Sequence, residues 1–205
     1  MSNNINETMR IILTSENLSN LNLNQMQKAL NTRIGRSLFS QVLYQSKFNE
    51  LKIQILAENS FNDLFKLIYL SLTQCEDDLT QFNDIRLIMK SCFFYYKSEK
   101  GKEIFISMEI SKKQNNFKIW SNKNFWLNWF EVDRIEEKNI FEKEDDLNFN
   151  ILISLGDKMN SLGMSLVLIE DIIVNYLAKN ILSDEDLLKE FCKSISKQYK
   201  NRNNI

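Results

Sequence analysis

Not one proline interrupts the 205-residue chain, and its four glycines, Gly35, Gly101, Gly156 and Gly163, stand far apart. Proline removes a backbone donor and clashes with the preceding helical turn, and glycine weakens a helix through its conformational entropy. A chain so poor in both is read as helical. Codon usage accounts for part of the scarcity, since Asn, Lys and Ile are abundant, as in AT-rich coding, and proline codons are GC-rich. The weight therefore falls on periodicity.

Residues 1–23 are Asn- and Ser-rich with one apolar triplet, Ile11-Ile12-Leu13, and are expected to form a loosely held polar arm. From Asn24 to Tyr44, Met26, Leu30, Ile34, Leu38 and Val42 recur every four residues, a helical spacing. Gly35 lies inside it, as a tolerated cost or as a break between two shorter helices. Phe48 to Leu56 reads as a short helix. Ser60 is expected to cap the next one, in which Phe61, Leu64, Phe65, Ile68, Tyr69 and Leu72 form a core-facing stripe. After Glu76-Asp77-Asp78, Leu79 to Tyr96 is expected to return as a long helix with Phe82, Ile85, Met89, Cys92, Phe93 and Tyr96 inward. So short a link predicts an antiparallel hairpin of helices.

Between Gly101 and Lys113, Ile104, Ile106, Met108 and Ile110 alternate as in a strand, while Ile104, Phe105 and Met108 also share one helix face. Helix is the reading taken, with a hairpin over 103–120 as the alternative. Leu147 to Leu162 reads as a helix stopped by Gly163 in a left-handed conformation with Met164 folding back. Ser165 is expected to cap a helix through Ala178, and Ser183 with Asp186 a last one holding Leu187, Leu188, Phe191 and Ile195.

All three tryptophans fall within the twelve residues Ile119 to Phe130, together with Phe125 and Phe130. On a helix, Phe125 and Trp129 are i,i+4 neighbours, as are Trp126 and Phe130, so the rings make one broad stripe. Rings of this size remove a large area from water, and packing between an N-terminal and a C-terminal set of helices is their first reading. The second is a partner-facing surface at Trp120, Phe125 and Trp129, because such rings dominate binding hot spots. Trp120 precedes the helix and is expected to be the more exposed ring. The aromatic helix is expected to run from Asn122 to about Lys138, into the segment 131–146, which holds eight acids against three bases and reads as the surface linker.

The net charge of −1 gives no electrostatic footprint for nucleic acid or an anionic membrane. Apolar runs such as Leu67-Ile68-Tyr69-Leu70 are cut by charge well short of the roughly 20 residues that span a bilayer. Cys75, Cys92 and Cys192 are odd in number and widely spaced, which fits a reducing cytoplasm better than a disulfide framework. The start, Met-Ser-Asn-Asn-Ile-Asn-Glu, has no basic, apolar or Arg-rich leader pattern.

With no histidine in the chain, Ser-His-Asp and Cys-His activation are excluded, and the commonest metal ligand is lacking. The isolated glycines make no phosphate-cradling loop. Asp77-Asp78, Glu144-Asp145-Asp146 and Asp184-Glu185-Asp186 remain as carboxylate sets for acid–base work or Mg²⁺. Their positions at helix ends also suit the helix dipole, with no chemistry implied. No catalytic, cofactor or metal residue is assigned. The basic tail Lys193, Lys197, Lys200 and Arg202 reads as a solvated helix face.

The succession Gly35-Arg36-Ser37-Leu38-Phe39, Ser60-Phe61-Asn62-Asp63-Leu64, Cys75-Glu76-Asp77-Asp78, Phe93-Phe94-Tyr95-Tyr96, Ile119-Trp120 and Asn124-Phe125-Trp126 resembles the helical middle region of the SET-binding factors. These are myotubularin-related pseudophosphatases that also carry a DENN module. The resemblance covers roughly residues 30–180, and the DENN, PH-type and phosphatase-like regions are not in this chain. It implies an all-helical, non-catalytic module associated with membrane traffic and small-GTPase regulation, and carries no catalytic residue across.

The expectation is an all-α protein, a multi-helix bundle of antiparallel hairpins with a helical-repeat-like variant and at most a minor β-hairpin. The arm 1–23 is followed by helical sets 24–138 and 139–205, packed as a single domain. Its expected role is that of a cytoplasmic, non-enzymatic interaction module with a protein partner such as a small GTPase or trafficking complex, and no cofactor. The alternatives are a structural subunit of a cytoskeletal, ciliary or other multiprotein assembly, and a carboxylate-dependent metal hydrolase.

Overall fold

A computed structural model describes residues 2–13, 20–48, 54–75, 79–113, 117–140, 143–182 and 184–202. Helices dominate, with one small sheet, and the chain divides into two compact units, Met1–Ile119 and Trp120–Ile205. The boundary falls at 119/120 rather than 138/139 because the aromatic helix packs with the elements that follow it.

In the first unit, α1 (Ser2–Leu13) replaces the expected loose arm: Ile5, Thr8 and Met9 are buried, and the helix packs against its neighbours in this unit. Its Arg10 pairs with Glu7 at 2.9 Å, which holds that carboxyl below its ordinary range. The four-residue run from Met26 is split between α2 (Asn20–Leu30) and α3 (Arg33–Phe48). The break at Asn31-Thr32 resets the phase, so Phe39 and Leu43 are the core residues of α3 while Ile34 lies 70% exposed. Thr32 caps α3 through its hydroxyl oxygen, which accepts from the Gly35 amide at 3.0 Å. Gly35 is not the break but a contact. A Cβ there would lie 1.9 Å from the Ala29 carbonyl oxygen. The neighbouring Arg36 is buried and donates to the Leu30 carbonyl (2.9 Å) and to Gln81 Oε1 (3.0 Å), tying the C-terminal carbonyls of α2 to the 3₁₀ turn Leu79–Gln81. A cation suits the negative end of a helix.

α4 (Glu58–Gln74) begins two residues before the expected cap. Ala57 is its N-cap residue, and Ser60 sits buried inside it. Of the expected stripe, Phe61, Leu64, Ile68 and Leu72 are buried, while Phe65 and Tyr69 are half-buried and Leu67 takes a core place instead. α5 (Phe82–Ser91) stops short of Tyr96, and Tyr95 to Glu99 is strand β2, not helix. Strand β2 pairs antiparallel with β3 (Lys102–Phe105) and parallel with the two-residue β1 (Gln54–Ile55), which replaces the short helix expected there. Lys100 and Gly101 connect β2 and β3 with φ of 53° and 76°, the paired left-handed geometry of a tight hairpin turn. Tyr95 is buried, its hydroxyl donating to the Leu43 carbonyl at 3.2 Å. The hairpin therefore lies earlier than the 103–120 alternative, and the helix reading survives only as α6 (Ile106–Lys112).

In the second unit, α7 (Lys123–Glu137) packs against α8 (Glu144–Ser161) and against a π-helical segment (Glu170–Ala178). That segment continues α9 (Leu166–Ile169) and leads into α10 (Lys179–Ile181). Gly163 has φ of 83°, the Met164 amide donates back to the Met159 carbonyl at 3.2 Å, and Ser165 Oγ accepts from the Leu168 amide at 3.3 Å, as the sequence predicts. Asp184 caps α11 (Glu185–Arg202), its Oδ1 accepting from the Asp186 and Leu187 amides. Ser183 lies outside the described residues.

Candidate interaction site

Asn122 starts α7, its side-chain oxygen accepting from the Phe125 amide at 3.2 Å. From there Phe125, Trp126, Trp129 and Phe130 turn to one side and are fully buried. Trp126 and Trp129 stack at 5.5 Å, and Phe125 stands edge-on to both, at 5.1 and 5.8 Å. Trp126 Nε1 donates to the Trp120 carbonyl at 2.9 Å. Trp129 Nε1 donates at 3.0 Å to Asp133 Oδ2, one helical turn on, and Lys158 Nζ from α8 donates to the same oxygen at 3.0 Å. The ammonium also lies 5.9 Å from the Trp129 ring centroid. A buried carboxylate persists because two donors, one of them charged, replace its water.

The three rings expected to face a partner are thus placed inside. Trp120, Phe125 and Trp129 are all buried, and Trp120 is no more open than Trp126. The stripe is wide enough to be enclosed whole, which leaves no ring edge for a hot spot.

The carboxylate sets separate. Glu144, Asp145 and Asp146 occupy the first turn of α8, with Asp145 half-buried and the other two exposed, and Asp184, Glu185 and Asp186 the start of α11, where their charge complements the helix dipole. Asp77 and Asp78 lie outside the described residues. Among the described residues, no three His, Cys, Asp or Glu side chains converge as metal ligands, and no helix is long and apolar enough to cross a membrane. The Cys92 thiol is buried, donates to the Ile88 carbonyl, and is pushed up by desolvation, away from thiolate reactivity.

Exposed apolar side chains lie elsewhere. Ile135 and Ile140, at the end of α7 and in the turn after it, are 73% and 72% exposed. Sequence reasoning passed over them because they stand in the acid-rich stretch taken for a linker. The available signal is phase: Ile135 falls nearly opposite the ring stripe on the helix, since it is five residues beyond Phe130. Arg134 beside it pairs with Glu131 (2.8 Å) and Glu144 (3.0 Å), joining this turn to the start of α8.

No protein-family model, curated protein or solved structure matches the chain.

Proposed function

We propose that the protein is a non-enzymatic, cytoplasmic helical interaction module that acts as an adaptor in vesicle traffic or small-GTPase regulation. The observation that carries the interaction reading is the pair Ile135 and Ile140, large apolar side chains left in water within six residues of chain. Exposed apolar side chains gathered into one patch mark interaction surfaces, and this pair is the place in the second unit where two stand close in sequence. With Trp120, Phe125 and Trp129 buried, the contact surface moves from the rings to this helix end. The traffic assignment is supported by the resemblance of residues 30–180 to the SET-binding-factor middle region.

Affinity purification from the source cell, with the native chain and an Ile135→Asp variant as baits, tests both parts. A small GTPase or coat component recovered by the native bait and lost by the variant is the expected result. Recovery of a fixed cytoskeletal or ciliary assembly would replace the traffic reading. A chain that purifies alone and shows cation-dependent hydrolysis would overturn the non-enzymatic one.

A further inference from the structure

The small sheet of the first unit turns one face to the helices and leaves the other partly open. Side chains alternate along a strand, so neighbours on β2 point to opposite faces. Tyr95 is buried, and the Lys97 ammonium lies 5.4 Å from the centroid of the Phe61 ring of α4, so their face packs inward. Tyr96 points the other way. Register places it directly opposite Ile55 on β1 and Phe105 on β3, which sets the three in one row across one face. Ile55 is 57% exposed, Tyr96 and Phe105 are half-buried, and the two rings meet at 5.3 Å.

The row runs out at an edge. β3 is the last strand of the sheet, and no strand among the described residues pairs with its outer side. The Phe94 and Tyr96 carbonyls accept from the Gln54 and Leu56 amides, both at 2.8 Å, so the carbonyl between Tyr96 and the next such group is the one turned to β3. Tyr96–Phe105 and Ser98–Glu103 are therefore the pairs without ladder bonds, and the N–H groups of Glu103 and Phe105 point out of the sheet. Glu103 stands two residues from Phe105 on the same face, is exposed, and meets no cation among the described residues. A second copy suits this edge poorly. With only 103 and 105 facing out, a two-fold axis sets Glu103 opposite a second Glu103 or opposite Phe105. We propose that β3 takes up an extended segment of a protein partner as a fourth strand, with an apolar side chain opposite Phe105 and a lysine or arginine opposite Glu103. Its short length and Lys102 guard the edge against open-ended pairing without closing it to a short segment. This surface belongs to the first unit and stands independently of the α7 tip.

The test uses the full chain and synthetic peptides in which threonine alternates with isoleucine and lysine. One control carries glutamate in place of lysine. Two more are N-methylated at one or the other alternate set of amides, which blocks pairing along one side of the strand only. Binding is followed by anisotropy and mapped by amide hydrogen exchange. The lysine peptide is expected to bind saturably and to protect the Glu103 and Phe105 amides, and only one of the methylated peptides should bind. Glu103→Lys should weaken the lysine peptide about fivefold and transfer the preference to the glutamate peptide. Equal binding of the two methylated peptides, equal binding of the glutamate peptide by the native chain, or protection centred outside β3 overturns the proposal. So does absence of binding by the lysine peptide. A free chain that dimerises with the Glu103 and Phe105 amides protected gives the edge to a second copy and overturns it as well. Ile135→Asp should leave peptide binding unchanged, so failure at this edge and failure at the α7 tip are read separately.

Discussion

Between Phe125 and Phe130, α7 turns four aromatic rings inward, while between Ile135 and Ile140 the same chain turns two isoleucines outward. Hydrophobicity alone does not separate the two regions. Helical phase does. Asp133, the most polar residue type, falls in the middle of the buried stripe and stays there because Trp129 and Lys158 both donate to it. Ile135, among the most apolar, falls on the far side and is left in water. The period of the helix decides which face is enclosed, and a polar side chain that falls on that face is kept there by the donors it finds within the chain.

The comparison breaks most sharply at Trp126. Trp126→Ala should cost about 3–5 kcal/mol, as deletion of a buried large aromatic does, read by denaturant unfolding. Trp120→Ala belongs in the same range, since its ring is equally buried. An effect at either position of only a few tenths would contradict the enclosure of the stripe. Asp133→Ala leaves the indole N–H and Lys158 without their shared acceptor and should cost about 1–3 kcal/mol. A double-mutant cycle with Lys158→Met separates the ammonium from the indole.

At the other end the signs change. Glu137→Gln should stabilise the free protein by a few tenths to about 1 kcal/mol, by removing an acid from the carbonyl end of the helix. A loss of stability would show that Glu137 serves the fold. The smallest effect is expected of Ile135→Ser, within about 0.5 kcal/mol in thermal unfolding, because the side chain touches mostly water. A cost approaching that of Trp126→Ala would place Ile135 in a core.

Helical class, the α4 stripe, the Gly163 stop and the Ser165 cap were legible because each rests on local chemistry within a turn or two. The hairpin was not read in its true place. Phe93 to Tyr96 continues the helical spacing of Ile85, Met89 and Cys92, and what converts Tyr95 to strand is tertiary: its hydroxyl reaches the Leu43 carbonyl, and β1 from far upstream pairs alongside. Lys100-Gly101 was the overlooked local sign. The burial of the rings was illegible for a related reason. Aromatic density identifies Trp120, Phe125 and Trp129 as energetically important, but only the packing of α8 and the π-helical segment settles whether they face in or out. Ile135 was readable from phase.

The π-helical segment has a consequence for how the length of this chain can vary. In Glu170–Ala178 the buried residues are Ile172, Ile173, Leu177 and Ala178, two pairs set five residues apart, matching the i→i+5 bonding of a π-helix. An α-helix would return to the same side after three or four. The stretch therefore carries surplus chain, and excising one solvent-facing residue, such as Asn175, would let the ladder tighten to the ordinary pattern with both buried pairs still inward. The same excision in α7 would rotate everything beyond it by about a quarter turn and carry Asp133 off the enclosed face. Gaps between this protein and its kin should accumulate in the π-helical segment and be purged from α7.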